Sequence, residues 1–168
     1  PLSVFMADAS GVAPGMTALD VGCGPGALTE ELVRRLGGAN VWAVDPSPPF
    51  VKACRERLPG VDVRDGQAES LPFPDASRDV ALGQLVFHFV SAAPLVAQEM
   101  RRVATSGGTV AACVWDFAKG MEMLRLFWDA ALSIDPSAPD EARTLRFGGE
   151  GELDALFSLA GLADVNET

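Results

Sequence analysis

Short apolar runs alternate with amphipathic stretches along most of the chain. The apolar runs predict five strands, at residues 18–21, 41–44, 61–63, 79–90 and 109–115. The fourth run is long and nearly all apolar, which is typical of a central parallel strand. Between the runs, apolar residues recur at helical spacing, and glycine or proline ends the helices. Successive β–α units with right-handed crossovers predict an α/β fold, a doubly wound parallel sheet with helices on both faces.

The segment 116–147 departs from this alternation. It follows the fifth predicted strand, and its apolar residues recur at helical spacing between positions 121 and 131. It begins beside the crevice at the ends of the strands. The segment is therefore predicted to be a helical insertion that either packs as core or covers a substrate as a lid.

Composition restricts the domain count, the partners and the compartment. A chain of 168 residues with 48% apolar content is predicted to form a single domain, 1–168. Its formal charge of −10 repels phosphate backbones, so nucleic acid is not the expected partner. Neither a long apolar run nor a secretory leader is present, which predicts a cytoplasmic protein that makes no membrane contact. Cys23, Cys54 and Cys113 lie too far apart for zinc spacing, and no metal site is predicted.

Glycines at every second position follow the first apolar run and precede a helix. Gly22, Gly24 and Gly26 suit a turn in which the backbone takes positive φ or lies against a ligand. The first two glycines together with Ala27 also fit the dinucleotide pattern, so NAD is one possible cofactor. Asp45, at the end of the second predicted strand, can accept hydrogen bonds from both hydroxyls of a ribose. That requirement is common to NAD and to S-adenosylmethionine.

Further motifs resemble those of class I S-adenosylmethionine-dependent methyltransferases. Asp20 stands two residues before the first glycine, as in motif I of that family. The stretch 65–79 is similar to the family sequence G-D-A-E-x-L-P-F-P-D-x-S-F-D, except that Gln67 replaces an Asp and Arg78 replaces a Phe. Residues 102–110 fit the family pattern R-V-x-x-x-G-G-x-hydrophobic. The resemblance implies a Rossmann-like fold with strand order 3-2-1-4-5.

The resemblance also implies a cofactor and the residues that bind it. It implies that S-adenosyl-L-methionine donates a methyl group to a small-molecule acceptor, whose identity the sequence does not specify. The three glycines would hold the methionine moiety, Asp20 would face its ammonium group and Asp45 would bind the ribose. Gln67 and Ala68 would recognise the adenine. The residues expected to border the cofactor are Asp20, Gly22, Cys23, Gly24, Gly26, Asp45, Pro46, Gln67, Ala68, Glu69, Gln84 and Leu85.

The end of the fourth predicted strand bears on the substrate. It lacks the Asn-Pro-Pro-aromatic sequence that DNA- and glutamine-modifying methyltransferases carry there, which favours a small-molecule substrate. His88, the single histidine, is either a packing residue or the general base of the reaction. Two other functions remain open. One is an NAD(P)-binding oxidoreductase, although the chain has no Tyr for a Ser-Tyr-Lys set; the other is a methyltransferase-like domain that binds its cofactor without catalysis.

The fifth predicted strand is expected to form an apolar edge of the sheet. In the family an antiparallel hairpin closes the sheet beside this strand, and here that hairpin is missing or incomplete. We therefore expect the chain to be part of a longer protein. Uncovered edges recruit other strands. The edge is expected either to pair two copies as a homodimer or to be covered by the segment 116–147.

Overall fold

The sheet and its helices follow one another as the apolar pattern predicts. The computed structural model describes residues 2–116, 120–140 and 146–167. In chain order the elements are α1 (Leu2–Ala9), β1 (Ala18–Val21), α2 (Ala27–Leu36), a short 3-10 helix (Gly38–Asn40), β2 (Val41–Asp45), α3 (Pro48–Arg57), β3 (Asp62–Asp65), β4 (Arg78–Gln84), α4 (Ala93–Val103), β5 (Ala104–Cys113), α5 (Glu122–Ile134) and α6 (Glu152–Leu159).

The five strands pair in the order β3-β2-β1-β4-β5, and all of the pairs are parallel. This confirms the predicted strand order and fold class. In the register Val21 lies opposite Val44, and Asp45 lies opposite Asp65. The carboxyl ends of β1, β2 and β3 therefore reach the same edge of the sheet, which is where doubly wound folds bind ligands.

The two faces of the sheet pack against different helices. Leu82 of β4 packs in one buried cluster with Leu28 and Leu32 of α2. Its neighbour Ala81 belongs to a second buried cluster, which includes Met100 of α4. Side chains alternate between the faces along a strand, so even-numbered positions of β4 face α2 and odd-numbered positions face α4.

The structure ends β4 earlier than the sequence predicts. The strand stops at Gln84, and Leu85 takes a left-handed φ of 62°. The backbone N–H of Leu85 still donates to the carbonyl oxygen of Cys113 at 2.9 Å, as in a parallel ladder, and the left-handed backbone of Leu85 turns the chain out of the sheet. Phe87 is nevertheless fully buried in the core. The apolar run therefore continues past the strand because the turn that follows is partly buried, although Phe89 within it is exposed.

The structure also lengthens β5 at its beginning. The glycine pair at 107–108 was predicted to precede the strand but lies within it. The register shifts there, from Arg78 opposite Ala104 to Val80 opposite Thr109. Gly107 takes a φ of 79°, so the extra residues form an irregularity inside the strand instead of a turn before it.

The segment 116–147 contains the predicted helix as α5. No residue of α5 is buried, and Leu126 and Ile134 are 70% and 86% exposed. Arg125 joins this helix to Asp140 by an ion pair at 2.8 Å. Residues 117–119 and 141–145 of the segment lie outside the described residues. The role of the segment as a lid stays a prediction.

In the described part of the chain, β5 pairs on one side only, with β4. Pairing of two copies through this edge stays a prediction, as does a cytoplasmic location. None of the helices in the ranges that the structure describes has the length and apolar character that crossing a membrane requires.

Candidate cofactor site

The loop between β1 and α2 is fastened to the end of β2 by three backbone N–H groups. Those of Gly22 and Cys23 donate to the carbonyl oxygen of Val44 at 2.8 and 3.0 Å. That of Gly24 donates to Oδ2 of Asp45 at 2.9 Å. The position of this loop is therefore set by β2 as well as by its own sequence.

Two of the loop glycines are required for different reasons. A Cβ on Gly22 would lie 2.5 Å from a methyl group of Val86, so this position is closed by packing. Gly24 has a φ of 54°, and a Cβ there would meet nothing within 4 Å. The middle of the loop thus presents its backbone to open space. Gly26 ends the loop immediately before the first residue of α2.

Asp45 supports two loops at once. Besides binding Gly24, its carboxylate accepts a hydrogen bond through Oδ1 from the backbone N–H of Ser47 at 2.8 Å, just before α3. Each carboxylate oxygen can accept more than one hydrogen bond. Asp45 can therefore hold the glycine loop and still accept donors from a ligand, as binding of a ribose requires. Pro46, the next residue, is exposed.

Asp20 lies deeper than the sequence predicts. Its side chain is only 1% exposed and accepts a hydrogen bond from Oγ1 of Thr29, in the first turn of α2, at 2.6 Å. Burial raises the pKa of this carboxyl to about 7. Asp20 therefore lies between β1 and α2. Its carboxylate is not exposed in this arrangement, although the ammonium contact that the resemblance implies needs an exposed one.

The loop after β3 brings the predicted adenine residues beside Asp45. The backbone N–H of Gly66 donates to the carbonyl oxygen of Asp45 at 3.2 Å, and Gln67, the next residue, is exposed. Ala68 packs into the main buried cluster, and Glu69 accepts from Oγ of Ser91 at 3.4 Å. Of this loop, Gln67 is thus the side chain best placed to meet a ligand.

Gln84 and Leu85 lie where β4 leaves the sheet. The side-chain oxygen of Gln84 is buried and has no hydrogen-bond partner within the part of the chain that the structure describes. Leu85 begins the turn that packs Val86 over Gly22. The end of β4 therefore borders the glycine loop, and contact of Gln84 and Leu85 with the cofactor stays a prediction.

Cys23 sits inside the loop as a neutral thiol. Its side chain is nearly buried, and its Sγ donates to the carbonyl oxygen of Gly24 at 3.5 Å. A hydrogen bond with Cys54 and burial together raise the pKa of Cys23. The side chain thus packs in a buried cluster with Ala43 of β2 and Cys54 of α3, and its backbone N–H donates to Val44.

His88 is held by backbone groups on both sides of its ring. Nδ1 lies 2.7 Å from the carbonyl oxygen of Arg146, and the backbone N–H of Trp115 donates to Nε2 at 2.8 Å. A carbonyl accepts and an N–H donates, so this geometry assigns the hydrogen to Nδ1 of a neutral ring. His88 therefore acts as a clamp between the ends of β4 and β5, which fits the packing role, one of its two predicted roles; the role as general base stays a prediction.

Comparison with known protein families identifies the chain. A family model described as a methyltransferase domain matches residues 19–112, more than half of the chain. The chain belongs to this methyltransferase family. The matched range runs from β1 into β5 and includes the glycine loop, Asp45 and Gln84.

Curated relatives carry methyltransferase names. The chain is 38% identical over 121 residues to a probable phthiotriol/phenolphthiotriol dimycocerosates methyltransferase 2 of Mycobacterium ulcerans, covering 71% of this chain and 45% of that protein. It is 37% identical over 95 residues to a malonyl-[acyl-carrier protein] O-methyltransferase of Erwinia pyrifoliae, covering 56% of this chain and 36% of that protein. The chain thus spans less than half the length of these relatives.

Solved structures confirm the architecture. A possible histamine N-methyltransferase from Thermotoga maritima superposes with a TM-score of 0.69 at 24% identity, covering 95% of this chain and 69% of that one. The [4+2]-cyclase SpnF superposes with a TM-score of 0.60 at 27% identity, covering 66% of this chain and 43% of that one. The first comparison shows the fold alone, and the second shows that related structures include a cyclase.

Two contacts of the site could not be found by sequence patterns. Thr29 binds Asp20 across the layer between strand and helix, and Val86 closes the space over Gly22. In the sequence, Thr29 is an ordinary residue of a first helical turn, and Val86 lies within the apolar run that predicts a strand. Neither carries a signal beyond its place near a motif.

The buried carboxyl of Asp20 predicts a pH-dependent loss of stability. Its folded-state pKa of about 7 lies above the ordinary value of 3.8, so folding binds a proton between these pH values and stability falls as pH rises through them. Asp20→Asn keeps an acceptor for Thr29 and removes this loss, which is at most about 4 kcal/mol above neutral pH. Urea unfolding from about pH 4.5 to about pH 8 should show the free energy of unfolding of the variant rising relative to that of the parent.

Glu56→Gln is a matched control for this experiment, because Glu56 is 67% exposed. The control should follow the pH dependence of the parent. If Asp20→Asn does so too, the carboxyl of Asp20 is not buried as described.

The clamp formed by His88 predicts a defect of stability. His88→Ala leaves the N–H of Trp115 and the carbonyl of Arg146 without this partner, at a cost of about 1–3 kcal/mol in the free energy of unfolding. His88→Asn keeps one donor near the position of Nδ1 and should recover part of the loss. Urea unfolding of the parent and both variants measures it. Full stability in His88→Ala would refute the clamp.

Proposed function

We propose that this chain binds S-adenosyl-L-methionine and serves the transfer of its methyl group to a small-molecule acceptor. The observation that carries the proposal is the hydrogen bond from the N–H of Gly24 to the carboxylate of Asp45 at 2.9 Å. It joins a glycine loop, open above its middle residue, to an acid at the end of the neighbouring strand. A nucleoside attached to a charged chain fits that pair of features.

The residues along this edge of the sheet fit the parts of such a cofactor. The open backbone at Gly24 allows a ligand to lie directly against the loop. Asp45 retains lone pairs for ribose hydroxyls, and the exposed amide of Gln67 offers both an acceptor and donors for an adenine. The buried oxygen of Gln84 still lacks a donor from the described residues, which a ligand would supply.

The chain contributes orientation more than acid–base chemistry. The cofactor supplies a methyl group that is already activated on a sulfonium. Asp45 and the glycine loop would fix the position of the nucleoside, and the apolar turn of Leu85 to Phe87, which buries Phe87, would exclude water from the end of β4. Holding reactants in a dry, aligned site accounts for a large part of the rate in such transfers. His88 is not needed as a base in this scheme.

Three observations favour a small acceptor. The relative from M. ulcerans is named for phthiotriol/phenolphthiotriol dimycocerosates, and that from E. pyrifoliae for a malonyl-[acyl-carrier protein]. The formal charge of −10 opposes the binding of nucleic acid. The sequence at the end of β4 differs from that of DNA- and glutamine-modifying enzymes. The acceptor itself is left open by this proposal.

A second candidate is a domain of this fold that binds the cofactor without transferring its methyl group. The likeness to SpnF, named as a [4+2]-cyclase, favours it. The two candidates share the binding step and differ in turnover. Incubation with labelled methyl donor and a metabolite extract separates them, because only the first candidate produces a labelled product.

Cofactor binding is the first test of the proposal. S-adenosylhomocysteine at about 100 times its dissociation constant should add about 2.7 kcal/mol to the free energy of unfolding and raise the melting temperature. Isothermal titration gives the dissociation constant directly. NAD is the control ligand, and binding of NAD together with no binding of S-adenosylhomocysteine would replace this proposal by the oxidoreductase.

Asp45 should carry much of the affinity for the cofactor. In Asp45→Ala the ribose hydroxyls lose a charged acceptor worth about 1.5–3 kcal/mol per bond, so titration should show a loss of at least about tenfold. Asp65→Ala is the matched control, because Asp65 lies opposite Asp45 in the register and ends the adjacent strand. An affinity of Asp45→Ala equal to that of the parent would remove Asp45 from the site.

A further inference from the structure

Gln84 occupies the outermost place in a row of side chains that begins with Asp20. In the register between β1 and β4, Asp20 lies opposite Leu82. Asp20 reaches Thr29 of α2, and Leu82 packs against the same helix, so both point to that face of the sheet. Gln84 follows Leu82 by two residues and therefore shares this face. Gln84 lies two residues closer than Leu82 to the carboxyl ends of the strands, level with Gly22.

The acceptor side chains beside the glycine loop differ in whether they already accept a hydrogen bond from the described residues. Asp20 accepts from Thr29, and Asp45 accepts from Gly24 and Ser47. The side-chain oxygen of Gln84 is buried and accepts from none of the described residues. A buried acceptor of this kind carries an unfavourable desolvation that a bound donor would remove. The arrangement is thus prepared for a donor that the described part of the chain does not supply.

The position of Gln84 restricts which part of a ligand it meets. Asp45 and Gln67 lie on the β2 and β3 side of the loop, where the proposed nucleoside would bind. Gln84 lies on the opposite side of the loop, at the end of β4. A cofactor that extends from the nucleoside across Gly24 would therefore bring its amino-acid end to Gln84. An ammonium group has three donors and no acceptor, so it suits an amide oxygen.

We propose that Oε1 of Gln84 accepts a hydrogen bond from the α-ammonium group of the cofactor. Asp20 is then a positioning residue that acts through Thr29 on the start of α2 and does not touch the ligand. This inference rests on the proposed function, because it requires S-adenosylmethionine or its demethylated product in the crevice. It reassigns the contact that the sequence pattern gives to Asp20.

Titration with two ligands isolates this contact. S-adenosylhomocysteine carries the α-ammonium group, and its desamino analogue has hydrogen in that place and is otherwise the same. Gln84→Met keeps the length of the side chain and removes the oxygen. The variant should bind S-adenosylhomocysteine about tenfold more weakly than the parent and should bind the analogue with less than about a twofold change. Gln98→Met is the matched control on the exposed side of α4 and should change neither affinity.

A second variant keeps the test independent of any defect in folding. Gln84→Glu retains acceptor oxygens and adds a negative charge, so it should bind S-adenosylhomocysteine at least as tightly as the parent does. Gln84→Glu should bind the desamino analogue more weakly than the parent does. Equal affinity of Gln84→Met and the parent for S-adenosylhomocysteine would overturn the inference, and so would equal losses for both ligands. If the parent itself binds neither ligand, the proposed function fails first and the inference fails with it.

Discussion

The carboxylate of Asp45 is the point on which the described arrangement of loops depends. It accepts the N–H of Gly24 at 2.9 Å and the N–H of Ser47 at 2.8 Å, so one side chain joins the loop after β1 to the loop after β2. Each loop precedes a helix, and the carboxylate satisfies one backbone donor in each of them, at Gly24 before α2 and at Ser47, the N-cap of α3. The loop glycine that makes the close approach, Gly24, is also the one whose backbone faces open space. The bond that stabilises the loops thus also shapes the binding surface.

The depth of each acid along its strand decides what it can do. Asp45 ends β2, where its carboxylate meets backbone N–H groups and the crevice. Asp20 lies opposite Ala43, two residues short of that level, so it is enclosed between β1 and α2 and bonds to Thr29. Burial favours its protonated form, whereas the acid at the strand end has donors around it. A difference of two residues in level along the strands therefore separates an acid that is placed to bind a ligand from one that is placed to hold a helix.

Much of the fold follows from local sequence signals. The strand order and the glycine loop were predicted because each rests on a short motif, a periodic apolar run or a family resemblance. The end of β4 was not predicted, since Leu85 leaves the sheet with a left-handed backbone in a turn that packs Val86 over Gly22, far away in the chain. The apolar sequence after it suits a partly buried turn as well as it would suit a strand. The placement of the glycines at 107–108 inside β5 has the same origin, because it depends on the register with β4.

The residues of the candidate site also divide into those that could be proposed from the sequence and those whose roles only the structure shows. Asp45 and Gln67 could be proposed from sequence because the register of parallel strands puts their loops side by side. The roles of His88 and Gln84 depend on their surroundings in the fold, which a sequence pattern does not show. The ring of His88 bonds to residues 27 and 58 positions later. The sequence already places Gln84 beside the cofactor, but only the structure shows that its buried oxygen finds no partner among the described residues. Chemical type alone favours the histidine and the acid as the active groups. Under the proposed function the geometry favours an amide instead, because a reaction governed by orientation needs well-placed acceptors more than it needs a base.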